Sequence, residues 1–332
     1  MSRLDSVVTR GVSSALTYDA LRVFVNWQRE RRLRKVRERK QAARTSNELL
    51  AADGFGIYGG HSLAIRVDGS VACWGVNGFG QAPPDGVPGD FVAIAAGPRH
   101  SLALRVDGSI ACWGSNGFGQ APPAGVPGNF VAIAAGNEHS LALRVDGSVA
   151  CWGYNEFGQA PPAGVPGDFM AIAAGDAHSL ALRVDGSVAC WGLNNAGQAP
   201  PVGVPGNFVA IAAGDDHSLA LRVDGSVACW GYNESGRAPP DGVPGDFVAI
   251  AAGNSHSLAL RVDGSIACWG RNNHGQAPPA GVPGNFVAIA AGDKHSLALR
   301  HDGSVACWGL NNDGEAPPAG VPGPFRATQA DL

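Results

Sequence analysis

Short apolar or alternating runs, separated by glycine-containing turns, make up most of the chain. Residues 130–135 are apolar, 140–145 alternate between apolar and polar positions, and 148–152 follow after Asp146-Gly147. Alternation with a period of two is typical of β-strands, and Asp-Gly between two such runs indicates a type I′ hairpin. Residues 159–167 hold three prolines, which cannot donate to a strand ladder. This pattern predicts three antiparallel strands and an irregular return.

The unit recurs seven times at a constant spacing of 39 residues. Seven histidines, each followed by Ser-Leu-Ala, mark the second strand of every copy: His61, His100, His139, His178, His217, His256 and His295. A three-stranded sheet of this size cannot bury both faces alone, so the copies must stack. A linear solenoid usually has shorter repeats and parallel sheets. We therefore expect an all-β protein, a seven-bladed β-propeller of three- to four-stranded antiparallel blades with short protected edges.

The two ends of the repeat array indicate how the ring closes. The leading Phe strand starts six times, from Phe91 to Phe286, while the His strand occurs seven times. Residues 325–329 stand one repeat length after Phe286, and residues 54–58 do not fit the pattern. We expect the C-terminal segment 325–329 to complete the first blade.

Charge divides the chain into two parts. Residues 1–50 carry 12 Lys and Arg against 5 Asp and Glu, whereas the rest carries 12 against 23. We expect a basic N-terminal extension, helical from about 17 to 43 and spanning residues 1–50, before a propeller at 51–332. A solvated linker, an anionic-membrane or nucleic-acid contact, a nuclear-import signal and an organelle transit sequence all fit this extension. The chain shows no secretory signal and no apolar run of membrane-spanning length, so we expect a cytoplasmic protein, with nuclear or organellar localisation as the alternative.

The repeated string His-Ser-Leu-Ala-Leu-x-x-Asp-Gly-x-Val-x-x-Trp-Gly-x-Asn-x-x-Gly-Gln, here from His139 to Gln159, resembles the repeat of the regulator of chromosome condensation family. That resemblance implies a seven-bladed propeller that acts as an interaction platform. The compact repeats are most similar to those of bacterial members, among them a secreted propeller that inhibits β-lactamases through loops on one face. Nucleotide exchange by the eukaryotic founder uses a wedge inserted in one blade, and this chain has no such insertion.

The repeated chemical side chains are expected to have structural roles. Equivalent histidines lie around a ring and do not converge on one ion, and no metal-ligand spacing is present. The seven cysteines, one per blade, are typical of free core residues, and each Asp before a Gly is explained by turn chemistry. We therefore expect no catalytic residues, no cofactor, no metal and no enzymatic activity.

The copies differ mainly in two loops, and we call these loops the variable-loop face. It comprises the residue pair before each His and the four residues after each Trp-Gly, from 76–79 to 310–313. The order of the strands places both loops at one end of every blade, where a rigid scaffold presents a binding site. Neutral drift is the alternative explanation of the variation. The candidate partner-binding residues are Phe79, Arg99, Phe118, Glu138, Tyr154, Glu156, Phe157, Asp176, Asp215, Asp216, Tyr232, Glu234, Arg271, His274 and Lys294.

The composition of this face favours a protein partner. Exposed aromatic side chains are frequent hot spots of protein interfaces, and the acidic balance of the propeller would repel nucleic acid. We expect a monomeric, non-enzymatic protein-interaction platform. The alternatives are a guanine-nucleotide exchange factor or other enzyme-regulating factor for a small GTPase, and a carbohydrate-binding propeller.

Overall fold

The computed structural model describes residues 50–54 and 60–326. These residues form seven sheets of three antiparallel strands each, which confirms the predicted seven-bladed propeller. We number the blades one to seven in chain order. The expected helix at 17–43 lies outside the described residues, so the division at residue 50 stays a prediction. None of the described residues belongs to a helix that could cross a membrane.

Each blade contributes an inner, a middle and an outer strand. Their bounds are β1 Leu50–Gly54, β2 Gly60–Ile65 and β3 Val71–Gly75; β4 Phe91–Ala96, β5 His100–Arg105 and β6 Ile110–Gly114; β7 Phe130–Ala135, β8 His139–Arg144 and β9 Val149–Gly153; β10 Phe169–Ala174, β11 His178–Arg183 and β12 Val188–Gly192; β13 Phe208–Ala213, β14 His217–Arg222 and β15 Val227–Gly231; β16 Phe247–Ala252, β17 His256–Arg261 and β18 Ile266–Gly270; β19 Phe286–Ala291, β20 His295–Arg300 and β21 Val305–Gly309.

The proline-rich return adds only a single bridge to each blade. In blade three Val149 and Val165 exchange two backbone hydrogen bonds of 2.9 Å, and the equivalent valine bridges the outer strand in the other six blades. Pro166 follows at once and cannot donate further. The fourth strand is therefore reduced to one residue, in agreement with the expected three- to four-stranded blades.

The predicted type I′ turn is wrong. Gly147 has a φ of +84°, but no described residue other than glycine has a positive φ, whereas type I′ requires two. The Gly147 N–H donates to the Arg144 carbonyl at 3.0 Å, and the Arg144 N–H donates to the Ser148 carbonyl at 2.9 Å. This is a three-residue loop in which a type I turn is followed by a left-handed glycine. Val145 is consequently a turn residue, 71% exposed.

The inner strands form a closed ring around a central channel. Each contacts its neighbours in the order β1, β4, β7, β10, β13, β16, β19, and β19 contacts β1. Isoleucine and alanine side chains of these strands line the channel, with Leu50 taking the isoleucine position in blade one. Radial stacking is therefore observed directly, and the linear solenoid is excluded.

Blade one corrects the expected closure. Its inner strand is β1, in which Leu50 lies opposite Ala64 as Ile94 lies opposite Ala103 in blade two. The C-terminal segment supplies only the outer end of this strand: Phe325 bridges Arg66 at the predicted register. Residues 327–329 lie outside the described residues. The two ends of the propeller thus meet in blade one: Phe325 joins it as expected, but β1 supplies the channel end of the inner strand, which was not expected.

The C-terminal contact is fastened by one buried arginine. The Arg326 N–H donates to the Ile65 carbonyl at 3.0 Å, and its guanidinium Nη1 donates to the Phe91 carbonyl at 2.8 Å. Asp90 lies 3.8 Å from Nη2. Arg326 therefore ties the C-terminal end of the described chain to blades one and two.

Candidate functional site

The two variable loops of a blade are in direct contact. The Tyr154 N–H donates to the Glu138 carbonyl at 2.8 Å, and the Ser115 N–H donates to the Arg99 carbonyl at 2.8 Å. An equivalent bond joins the residue after Trp-Gly to the residue before the His in each of the seven blades. The structure therefore places both loops at the same end of every blade, as the strand order predicted. The role of these loops in binding stays a prediction.

A constant asparagine and a glutamine found in five of the seven blades hold the second loop rigid. In blade three Asn155 Oδ1 accepts the Ala160 N–H at 2.8 Å, and Gln159 Oε1 accepts the Phe157 N–H at 3.0 Å. Since Asn and Gln satisfy backbone donors, the turn does not depend on residues 154, 156 and 157. These positions can vary in chemistry without changing the backbone that presents them.

Four aromatic candidates are largely exposed. The exposed fractions are 46% for Phe79, 51% for Phe118, 47% for Phe157 and 39% for Tyr232. Tyr154 lies between two of these rings, with its centroid 4.9 Å from Phe118 and 6.3 Å from Phe157, both edge to face. Neighbouring blades thus combine their rings into an aromatic patch.

Arg99 of blade two lies between the ring of Phe79 in blade one and the carboxylate of Glu138 in blade three. Its guanidinium carbon is 5.4 Å from the centroid of Phe79, and Nη1 is 3.6 Å from Glu138 Oε1. A cation over an aromatic face and beside a carboxylate is stabilised by both. The structure therefore brings these three candidates together.

The candidate acidic residues separate into two groups. Asp176 and Asp215 line a cavity of about 100 Å³ at the mouth of the central channel. Burial and neighbouring carboxylates raise the pKa of Asp215 well above its usual range, and burial raises the pKa of Asp176. Glu156 and Glu234 lie in the exposed outer loops, and each accepts a hydrogen bond from the tyrosine two residues earlier. Of the six acidic candidates, these four therefore form a channel-mouth group and an outer group.

Three cationic candidates have different environments. Arg271 and His274 are exposed, and Arg271 borders a crevice shared with Glu234. Lys294 is half-buried, with Nζ 3.4 Å from the buried carboxylate of Asp293.

The acidic candidate Asp216 accepts a hydrogen bond from the Gln198 side chain at 3.3 Å.

Arg237 belongs to this face but was missed from the sequence. Five other blades have glutamine at this position: Gln81, Gln120, Gln159, Gln198 and Gln276. Arg237 is only 8% exposed, with its guanidinium carbon 4.8 Å from the Tyr232 centroid. Its Nη1 donates to the Asn254 carbonyl at 3.2 Å. Blade seven has Glu315 at this position, and these two departures from the repeated glutamine were the signal that could have identified Arg237.

Six segments of the chain match the regulator of chromosome condensation (RCC1) repeat: residues 91–120, 130–159, 171–198, 208–237, 247–276 and 286–315. The matched segments cover more than half of the chain. It belongs to the RCC1 repeat family.

Solved structures with the same fold come from several organisms. The CRINKLY WD40 ectodomain of the Arabidopsis thaliana receptor kinase ACR4 is 27% identical, with 84% of this chain and 98% of that chain covered and a TM-score of 0.65. Prp20p from Saccharomyces cerevisiae is 21% identical, with 87% of each chain covered and a TM-score of 0.61. No curated protein matches this chain significantly. The similarity to the bacterial β-lactamase inhibitor stays a prediction.

The constant RCC1 positions join adjacent blades. Each histidine Nε2 is bonded to the serine hydroxyl of the next blade, as His139 is to Ser179 at 3.0 Å, and His295 closes the ring on Ser62 at 3.0 Å. Each Trp-Gly tryptophan donates to a carbonyl of the preceding blade, as Trp152 does to Gln120 at 2.8 Å. The histidines therefore join adjacent blades, and the partner of each Nε2 is a serine of the next blade.

The cysteines and carboxylates form no chemical centre in the described residues. The seven cysteines are free, and burial raises the pKa of each thiol to about 12. No group of three His, Cys, Asp or Glu side chains among the described residues could hold a metal ion.

Proposed function

We propose that this RCC1-family propeller is a non-enzymatic interaction module that binds a protein partner through its variable-loop face. One observation carries the proposal: both variable loops of every blade meet at the same end, where exposed aromatic side chains of adjacent blades form a patch. Binding residues are commonly presented by loops on a rigid β scaffold.

The family supports a protein partner in general terms. RCC1-type propellers mediate protein interactions and GTPase regulation, and Prp20p is described with binding properties toward Gsp1p and histones. Kap60 has been crystallised bound to yeast RCC1. These partners are properties of the yeast protein, and the partner of this chain is left open.

Affinity capture with matched variants tests the proposal. We expect Phe118→Ala and Glu156→Lys to reduce capture of the partner at least about tenfold, because both change exposed side chains of the face. Val106→Ser is the control, since Val106 is an exposed apolar side chain in the turn at the opposite end of blade two. If Val106→Ser weakens capture and the face variants do not, the proposal is wrong.

Two further assays separate the alternative functions. On a glycan array, a carbohydrate-binding propeller would retain defined glycans, whereas a protein-binding propeller should leave the array blank. An exchange factor would accelerate nucleotide release from a small GTPase, which we do not expect from this chain. Cytoplasmic localisation and a tethering or targeting role for residues 1–50 remain part of the proposal.

A further inference from the structure

The second loops of blades three and five begin with the same three residues. Both have Tyr-Asn-Glu, at 154–156 and at 232–234, and in both the tyrosine hydroxyl donates to the glutamate carboxylate. A second carboxylate stands at equivalent positions, Glu138 and Asp216, and in each case it helps to raise the pKa of the tyrosine. The two blades therefore form the same group of one aromatic ring and two carboxylates.

Blade five fills this group with a cation of its own. The Arg237 guanidinium carbon lies 4.8 Å from the Tyr232 ring centroid, Nε donates to Ser235 Oγ at 3.2 Å, and Nη1 donates to a backbone carbonyl. Asp216 interacts favourably with this guanidinium. Arg99, between Phe79 and Glu138, repeats the same chemistry in another part of the face. Twice, the chain places a guanidinium over a ring beside a carboxylate.

In blade three no guanidinium of the described residues lies over the Tyr154 ring, and the second carboxylate, Glu138, pairs with Arg99, which itself lies over Phe79. Gln159 replaces Arg237, and its Oε1 is occupied by the Phe157 N–H. None of the guanidinium contacts with aromatic rings in the described chain involves Tyr154. Phe118 packs edge to face on Tyr154 and adds an exposed apolar wall, against which the methylenes of a long cationic side chain can pack.

We propose that Tyr154 and Glu156, with Phe118 as a wall, hold an arginine side chain inserted by the protein partner. The inference rests on the proposed function, because it specifies one side chain that the partner places on the variable-loop face. Arginine fits better than lysine because its planar guanidinium stacks on a ring and meets a carboxylate with two parallel hydrogen bonds. A partner with an exposed arginine beside apolar residues is therefore the complementary class.

Fluorine NMR of the full chain labelled with 3-fluorotyrosine tests the site directly. The chain has four tyrosines, and Tyr154→Phe and Tyr232→Phe assign the two signals of interest. The probe is the capped peptide acetyl-Gly-Arg-Gly-amide, titrated to millimolar concentration. The control peptide has citrulline, which keeps the shape of arginine but lacks its charge. We expect a saturable shift of the Tyr154 signal with the arginine peptide only.

Four variants test the carboxylate and the difference between the two blades. Glu156→Gln should weaken binding of the arginine peptide about tenfold, because it removes the charged acceptor. Gln159→Arg combined with Phe157→Ser copies blade five and should abolish the response of Tyr154, whereas Phe157→Ser alone should retain it. Arg237→Gln removes the internal cation and should create a new response at Tyr232. Glutamine at this position is already tolerated by five blades.

Several results would overturn the assignment. These are an equal shift with the citrulline peptide, no shift at Tyr154 at the highest concentration, unchanged affinity in Glu156→Gln, or no response at Tyr232 in Arg237→Gln.

Failure of the arginine site can be distinguished from failure of the proposed function. If Phe118→Ala abolishes partner capture while the Tyr154 signal does not shift with the arginine peptide, the variable-loop face binds the partner but the proposed arginine site is wrong. If Tyr154 responds and no face variant affects capture, the partner binds elsewhere.

Discussion

The ring of buried histidines predicts that the propeller unfolds in mild acid. Ser179 Oγ donates to the Gln159 carbonyl at 2.9 Å, so the serine must accept the hydrogen bond from His139 Nε2. The same pairing recurs around the ring, and six of the seven Nδ1 atoms have no hydrogen-bond partner in the described chain. Protonation would place a buried charge at each position and an unsatisfied N–H at six of them. The fold therefore requires neutral imidazoles.

The size of the effect follows from the pKa values. Burial lowers the pKa to about 3 for His61, His139 and His256, to about 4 for His100, His178 and His295, and well below the usual value for His217. The unfolded chain binds these protons near pH 6.5, so it takes up more protons than the fold and stability falls as the pH falls from about 6.5 to 4.

Between pH 7 and pH 6 the seven histidines together lower the free energy of unfolding by about 5 kcal/mol, and each further unit of acidification lowers it by about 10 kcal/mol. Three carboxylates with raised pKa, Asp176, Asp215 and Glu315, act in the opposite direction but are outnumbered by the seven histidines. Because folded domains have about 5–15 kcal/mol of stability in total, we expect unfolding near pH 5 to 6.

Urea denaturation at several pH values, followed by tryptophan fluorescence, measures this dependence. The free energy of unfolding should fall with a slope that approaches about seven protons below pH 6. His139→Gln is the control: its side chain amide can still reach the serine, and the slope should decrease by about one proton. A slope of about two protons or fewer would refute the reasoning, because it would mean that the histidines are not neutralised by burial.

Three smaller predictions concern packing and closure, all measured by urea denaturation or thiol labelling. Gly136→Ala should lower the free energy of unfolding by about 1–3 kcal/mol, because the new Cβ would lie 2.5 Å from a carbonyl oxygen of the next blade. The control is Gly117→Ala, where the new Cβ would have nothing within 4 Å. It should change the free energy of unfolding by no more than about 0.5 kcal/mol. Arg326→Ala should cost about 1–3 kcal/mol through loss of its buried bond to the Phe91 carbonyl, and an unchanged urea midpoint would contradict the proposed fastening. The seven cysteines should react slowly with a thiol reagent at about pH 8 in the native protein and rapidly in urea, because burial raises each thiol pKa to about 12; rapid native labelling would show that the blades open.

Much of the fold was predictable because all seven repeats share the same pattern of apolar, polar and turn residues. The period-two alternation at 140–145 and the apolar run at 130–135 correspond to β8 and β7, and the requirement to bury both sheet faces led to the ring. The turn type was not predictable from Asp146-Gly147 alone, since the same dipeptide fits a two-residue and a three-residue loop. The difference depends on which backbone groups pair across the hairpin.

Blade one escaped prediction because its inner strand is out of register with the repeat. Leu50 stands eleven residues before His61, whereas Ile94 stands six residues before His100. A search at the repeat length therefore passes over Leu50-Ala51-Ala52, although it matches Ile-Ala-Ala in the other blades. Pairing with the middle strand, not spacing along the chain, determines which segment completes the sheet.

At the candidate site, location was predictable and chemistry was only partly so. Strand order was sufficient to place both variable loops at one end. The contacts between blades were not readable from the sequence: Arg99 lies over Phe79, and Arg237 lies over Tyr232, because side chains from separate loops converge in space. Comparing blades three and five position by position, with the contacts known, shows that Tyr232 has a guanidinium over its ring and that Tyr154 has none within the described residues.

Hydrogen exchange of the full chain, alone and with its captured protein partner, tests the central account most directly. We predict slower exchange in the second loops of blades one to three, at residues 76–81, 115–120 and 154–159, and unchanged exchange in the turns at 106–108 and 145–147. Slower exchange confined to those turns, with the variable-loop face unaffected, would contradict the account.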